Sequence, residues 1–146
     1  GEGELPIEVW PWIKMETSQG VSALNMLDQT YTVNLDLQLS WEDPQFIEEM
    51  QSEKWQNELE QKRKELSWGW QEMMKYTAWH PHVVIENANQ LYEKECWYHV
   101  DEEANVVHWR CRLYGTFFEQ FELNNFPFDK QLLSVYMRST YDQKYV

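Results

Sequence analysis

The sequence predicts an all-β fold, an immunoglobulin-like antiparallel β-sandwich carrying a helical insertion at about 44–66. Three observations lead there. Residues Tyr31, Val33, Leu35, Leu37, Leu39 and Trp41 alternate strictly with Thr32, Asn34, Asp36, Gln38 and Ser40, the period of a half-buried antiparallel strand. Two further strand-like runs, Leu91 to Val100 and Val106 to Leu113, flank the polar turn Asp101-Glu102-Glu103-Ala104-Asn105, where Asn suits a left-handed position. Between Asp43 and Ser67 the period changes from that of a strand to that of a helix.

The first strand is Ile7 to Met15, interrupted by Pro11, and Ala23 to Gln29 connects it to the alternating strand. The helix begins with Asp43 as N-cap and Pro44 at its first position, with Glu48 and Glu49 near the positive end of the dipole. Glu58 with Lys62 and Glu60 with Lys64 are i,i+4 pairs, and Gly69 is the expected stop. Its apolar stripe is thin, Ile47, Trp55, Leu59 and Leu66, so about 22 residues, roughly 33 Å, should project from the sandwich. In the hairpin, pairing Val100 with Val107 also sets Tyr98 against Trp109, Cys96 against Cys111 and Glu95 against Arg112. One face then carries Cys96, Tyr98, Val100, Val107, Trp109, Cys111 and Leu113, and a one-residue slip would mix the two faces. Finally, Phe126-Pro127-Phe128-Asp129-Lys130-Gln131 is a turn between strand-like runs, Leu113 to Leu123 and Leu132 to Met137, which it is expected to join within one sheet.

The 146 residues form one domain, and 42% hydrophobic residues with 9 Trp, 8 Tyr and 6 Phe supply its core. The net charge of −13 argues against nucleic acid as a partner, because phosphate binding is driven by basic surfaces, and it favours solubility and the attraction of cations. No run of roughly 18 apolar residues is present, and Gly1-Glu2-Gly3-Glu4 is not a signal peptide. A soluble protein or an excised ectodomain is expected.

The turn resembles the F-P-F-D-x-Q signature loop of the pentameric ligand-gated ion channels, the Cys-loop receptor superfamily. Three more blocks follow that family's order. Val33 to Asp43 is similar to a strand ending in W-x-D; Trp79-His80-Pro81-His82 through Asn87-Ala88 is similar to its W-x-P-D segment, with His82 in place of the acid; Val106-Val107-His108-Trp109 fits the strand before the signature loop. Together they cover about three quarters of the chain. The helical stretch between Phe46 and Tyr76 departs from the family, which has a short strand and loop there.

The resemblance implies that residues 1–146 are the N-terminal portion of an extracellular ligand-binding domain, with the last strands and the membrane region outside this chain. Its partners would be the other subunits of a homo- or hetero-pentamer, a small-molecule or ion ligand, and a cell membrane reached through a segment not in this chain. Glu119 and Leu133 occupy the positions of the disulfide that names the superfamily, so the branch lacking that bridge is implied. The aromatic cage of the animal receptors falls on Glu86, Thr140 and Asp36, with Tyr141 as a possible substitute for Thr140, so a quaternary amine is disfavoured and a proton or divalent cation is expected instead. Gln38 shares the strand face of Asp36. His108 and Arg110, flanking Trp109, stand where the family has the facing wall, with the bland alternative of a solvated face and Trp97 stacked on Arg110. Phe126, Pro127, Phe128 and Asp129 would form the gating loop, Asp129 pairing with a basic residue before the first membrane helix or merely capping its own turn.

Cys96 and Cys111, opposed on the core face, admit either a disulfide or two buried thiols. His80 and His82 are held apart by the stiffness of Pro81, and His99 with His108 makes two ligands where a structural zinc site has four, so no metal is assigned. Neither a catalytic constellation nor a cofactor motif is present. Two other readings stay open: a secreted carbohydrate-binding module, with Trp68, Trp70 and Trp97 stacking on sugars, and a soluble assembly module derived from the receptor domain.

Overall fold

The computed structural model describes residues 7–15, 23–120 and 134–139, with the backbone alone at Ala23. Among these residues, β1 (Val9–Met15), β2 (Ala23–Asn25), β3 (Thr30–Glu42), β5 (Ala88–Asp101) and β6 (Val106–Phe118) form one antiparallel sheet in the order β1-β3-β6-β5, with β2 also paired to β3. A second sheet pairs β4 (Val83–Ile85) with β7 (Met137–Ser139). Three helices, α1 (Pro44–Met50), α2 (Glu53–Leu66) and α3 (Trp70–Thr77), lie between β3 and β4 in the chain. The protein is mainly antiparallel β with a helical insertion.

The alternation of β3 decides where the core lies. Tyr31, Val33, Leu35, Leu37, Leu39 and Trp41 are all at most 4% exposed. Val107, Cys111, Leu113 and Phe117 of β6 extend that face. A second layer covers it, built from Phe46, Ile47 and Met50 of α1, Trp55 and Leu59 of α2, Met73 and Met74 of α3, and the partly buried Val83, Ile85 and Met137 of the small sheet. Burying each large apolar side chain contributes about 1.5–3 kcal/mol, so the sheet face and its helical cover hold the fold together.

The hairpin register is the expected one: Val100 pairs with Val107, Tyr98 with Trp109, Cys96 with Cys111 and Glu95 with Arg112. β1 runs through Pro11, which faces Leu39, because an edge strand tolerates a residue that cannot donate. The opposite edge is covered from α3. Gln71 donates Nε2–H to the Tyr98 carbonyl at 2.9 Å and accepts the Tyr98 N–H at 2.7 Å, so one side-chain amide satisfies both backbone groups that the edge leaves free.

Five expectations need correction. The helix is not continuous: Ser52 starts α2 by accepting the Trp55 N–H, and Ser67 ends it in the left-handed region at φ 58°. Gly69 is not its stop but the N-cap of α3, where the Glu72 carboxylate accepts the Gly69 N–H at 2.9 Å. Leu66, assigned to the apolar stripe, is 52% exposed, whereas Phe46 and Met50 are buried instead. The expected projection is met in part, since Arg63 and Lys64 are exposed and Lys62 half-buried while Trp55 and Leu59 anchor α2 to the core. The segment 23–29 is more than a connection, because β2 makes a hairpin with β3 through Gln29 at φ 53°. Lastly, among the described residues the strands before and after the signature segment, β6 and β7, belong to different sheets, where one sheet was expected; the turn itself lies outside the described residues.

Candidate functional site

The outer face of the large sheet carries the candidate site, and strand register builds it row by row. Trp12 pairs with Gln38, Gln38 with Arg110, and Arg110 with Trp97, so these four side chains line up across β1, β3, β6 and β5. With strands about 4.8 Å apart, the two indoles are rooted roughly 14 Å from each other. One row away stand Trp10, Ser40, His108 and His99; on the other side stand Lys14, Asp36, Arg112 and Glu95. A groove of about 670 Å³ runs between Trp10 and Trp12 on one wall and Trp97 on the other, with Gln38, Ser40, Arg110 and Arg112 in its floor.

The floor is a directed hydrogen-bond network. Arg110 Nε donates to Gln38 Oε1 at 2.7 Å, and Gln38 Nε2 donates to Ser40 Oγ at 3.1 Å and toward His108 Nδ1 at 3.3 Å. Ser40 Oγ lies 2.7 Å from the same nitrogen. This network assigns Nδ1 as the acceptor, so His108 is neutral with its proton on Nε2. Burial lowers the His108 pKa, helped by neighbouring His99 and Arg110 and opposed by Asp101, which keeps the network intact at neutral pH. The His99 and His108 rings stack at 5.7 Å.

Four of the residues predicted for ligand binding, Asp36, Gln38, His108 and Arg110, therefore share one face, and three of them are joined by hydrogen bonds. Asp36 lies 3.8 Å from Arg112, which also sits 3.8 Å from Glu95 and places its guanidinium over Trp97 at 5.6 Å. The cation stacked on Trp97 is thus Arg112 and not Arg110, because Gln38 draws Arg110 toward β3. Glu86 is elsewhere, beside the small sheet, paired with Arg138 at 2.6 Å. Within one chain Asp36 is on the large sheet and Glu86 beside the small one, each next to its own guanidinium. Thr140 and Tyr141 lie outside the described residues, as do Phe126, Pro127, Phe128 and Asp129.

The base of the signature segment is described on both sides, and Asn87 ties it together. Asn87 is 9% exposed. Its Nδ2 donates to the carbonyls of Phe118 at 3.1 Å and Ser134 at 2.7 Å, while its Oδ1 accepts the Tyr136 N–H at 2.8 Å. Tyr31 adds its hydroxyl to the Ser134 carbonyl at 2.6 Å, and burial, then Glu119 and Tyr136, push that phenol's pKa up. Phe118 and residues 134–136 are thereby tied to one another at the end of the large sheet.

The blocks of the resemblance also meet in space. Trp41 packs edge-on against Trp79 at 5.5 Å, and His80 stands edge-on to both Trp41 at 6.1 Å and Trp109 at 4.6 Å. Asp43, two residues past Trp41, caps α1 by accepting the Phe46 N–H at 3.2 Å. Burial raises the Asp43 pKa, partly opposed by that hydrogen bond and by Trp41. Pro81 does not hold His80 and His82 apart, for their rings are 4.6 Å from each other. His80 Nδ1 accepts the His82 N–H at 2.9 Å, which His82 reaches by taking φ 46°. Burial, then His82, lower the His80 pKa to about 4.

Cys96 and Cys111 are joined as a disulfide, with Cα atoms 4.1 Å apart. Tyr98, two residues on, turns both its backbone groups to the outer edge, so the Cys96 pair is of the non-hydrogen-bonded kind, whose Cα spacing is about 4.5 Å. Of the indoles proposed for sugar stacking, Trp68 and Trp70 are half-buried against the core, Trp68 stacked on Tyr76 at 4.6 Å, and Trp97 alone faces the groove.

Sequence reasoning missed Trp10, Trp12 and Arg112 as groove residues. The signal was present, since Trp10, Trp12 and Lys14 alternate, but only the pairing of β1 with β3 tells which face they join. No family model matches the chain, and neither does any curated protein, so the functional reading rests on the residues of the chain itself.

Proposed function

We propose that this chain is the extracellular ligand-sensing domain of a subunit of a pentameric ligand-gated ion channel, and that the groove on the large sheet is the wall it presents to the neighbouring subunit. The observation that carries this reading is the convergence of Asp36, Gln38, His108 and Arg110 on one exposed face, from strands far apart in sequence. The pairing of β3 with β6, and the ring contacts of Trp79 and His80 with Trp41 and Trp109, gather the W-x-D, W-x-P and pre-loop blocks into one aromatic junction, which supports the same assignment. In this reading the domain is an immunoglobulin-like sandwich, with the β4–β7 pair belonging to its second layer.

The chemistry of the groove suits a small polar ligand. Its floor offers guanidinium donors, an amide and a hydroxyl between indole walls, and no aromatic cage for an ammonium group. Glu86, from a different sheet, would reach the same ligand only from the adjacent subunit, and a proton or divalent ion between Glu86 and Asp36 is the expected gating species at such a boundary. The test is assembly and imaging of the complete subunit in detergent or lipid nanodiscs. A closed ring of five copies with the Trp12–Trp97 face at each boundary supports the reading, and a monomer with that face open to water removes it.

One observation favours a second reading. Trp10 and Trp12 are 46% and 53% exposed beside a polar floor, the arrangement on which sugar rings stack. Saturable quenching of tryptophan fluorescence by oligosaccharides, lost in Trp12→Ala, would favour a carbohydrate-binding module over the channel domain.

A further inference from the structure

β5 departs from strict alternation in one place, and the departure gathers three metal-ligating side chains. Glu93 pairs with Leu113 and Glu95 with Arg112, so Lys94 is the extra residue of a bulge. In a regular strand residues 93 and 96 point to opposite faces. The bulge turns Glu93 to the side of Cys96, whose partner Cys111 stands opposite on β6. A Glu93 carboxylate oxygen and the sulfurs of Cys96 and Cys111 all lie within 4.8 Å of one another. Glu93 and Cys96 also line a cavity of about 920 Å³ between the sheet and α3, which gives an ion a way in.

We propose that, once the Cys96–Cys111 bond is reduced, Glu93, Cys96 and Cys111 bind a thiophilic divalent cation, with zinc as the fitting ion. Reduction is thiol–disulfide exchange with a dithiol. A thiolate of the reductant attacks Cys96 Sγ from the cavity, Cys111 leaves as thiolate, and the reductant's second thiol resolves the mixed disulfide. Two electrons and two protons pass to the protein, and the reductant becomes the disulfide. Zinc then takes both sulfurs as thiolates, and two protons go to solvent. Zinc–sulfur bonds of about 2.3 Å and a zinc–oxygen bond of about 2.1 Å require ligand atoms roughly 3.5–4 Å apart, so the two sulfurs separate once their bond is broken while the Glu93 carboxylate, already within 4.8 Å of both, stays in reach. Three protein ligands leave the fourth position to water, so the ion is exchangeable.

The oxidised and metal-bound states exclude each other because both use the same sulfurs. Each of them clamps β5 to β6, and the reduced, metal-free state has no clamp. The hairpin that presents Trp97 and Arg110 to the groove is therefore stiff in two chemical states and loose in the third. The site lies on the core side of the sheet and is independent of the channel assignment.

The test is a cobalt titration of the domain reduced with a phosphine under nitrogen, with near-ultraviolet circular dichroism recorded on the same samples. The reduced protein should develop thiolate-to-cobalt charge-transfer absorption that zinc abolishes, and the untreated disulfide form should develop none. Glu93→Gln, a change at an exposed side chain, should weaken cobalt binding by roughly tenfold or more, and Cys111→Ser should remove the band. Absence of the band in reduced wild type overturns the proposal, as does equal affinity in Glu93→Gln. A reduced chain that loses its native dichroism and does not regain it on adding cobalt overturns it as well.

Discussion

The Glu119 carboxylate accepts the Ser134 N–H at 2.9 Å, joining two residues 15 apart in the chain. Under the proposed channel assignment, Glu119 and Leu133, the latter next to Ser134, would stand at the positions of that superfamily's disulfide. Glu119, Asn87 and Tyr31 all converge on the backbone of Ser134 and Tyr136.

Asn87 is the member of that group with most to lose. Asn87→Ala removes three hydrogen bonds to backbone groups at a site 9% exposed, leaving at least one of them unsatisfied, and should cost about 2–4 kcal/mol in urea unfolding. Glu119→Gln keeps an acceptor for Ser134 and should cost less than about 1 kcal/mol. Equal losses in the two variants would mean that the side chain of Asn87 is not what ties Phe118 to Ser134 and Tyr136.

The Cys96–Cys111 bridge closes a sequence separation of 15 residues. Intact mass without reductant should be two hydrogens below the reduced value. In metal-free buffer, Cys96→Ala with Cys111→Ala should lower stability by about 3 kcal/mol, the loop-entropy expectation for this length. Equal stability of the double variant and wild type would show that the bridge does not constrain the unfolded chain.

Two caps should be measurable separately because the helical insertion is two helices where one was expected. Asp43→Ala and Ser52→Ala should each cost about 1 kcal/mol, by exposing the N–H groups of Phe46 and Trp55. Glu60→Ala, which removes an exposed pair with Arg63, should cost no more than a few tenths of a kcal/mol. An uninterrupted helix would leave Ser52→Ala without effect.

His80 makes stability fall with acid. Its folded pKa, about 4, is below the ordinary 6.5, so the unfolded chain binds more protons than the folded one between those values. The contribution is intact above about pH 6.5 and declines as pH falls toward 4. His80→Phe keeps the edge contact with Trp109 but cannot take a proton, so it should lose less stability between pH 7 and pH 4.5 than wild type does. The difference should be on the order of 2 kcal/mol after allowance for partial exposure. Parallel curves for the two proteins would put the acid sensitivity elsewhere, with His108, whose pKa is also lowered, the next residue to test.

The parts of the fold that were legible in the sequence are those set by a period of two. Pairing Val100 with Val107 fixes every later pair of the hairpin down to Glu95 with Arg112, because a slip would bury Arg110 and expose Cys111. The helical insertion was legible at Asp43-Pro44 and not at Ser52, whose hydroxyl caps α2 from within a polar run. Helix α3 was hidden because Gly69 reads equally as a stop or a start, and Glu72, three residues on, is what decides. Of the candidate site, the faces of β3 and β6 could be read locally. Trp10 and Trp12 could not, since a strand separated from its partner by a connection carries no local sign of which face will be covered.

The central claim is that the groove face of one chain meets the Glu86 side of the next. Asp36 and Gln38 lie on the large sheet and Glu86 beside the small one, so a bond between them reports a boundary between copies. The decisive measurement is disulfide trapping in the complete subunit carrying Gln38→Cys together with Glu86→Cys, followed by non-reducing electrophoresis. A ladder that climbs to five copies, absent from either single variant and collapsed by reductant, is the predicted result. A double variant that stays monomeric under oxidation while its native Cys96–Cys111 bridge is intact would contradict the account.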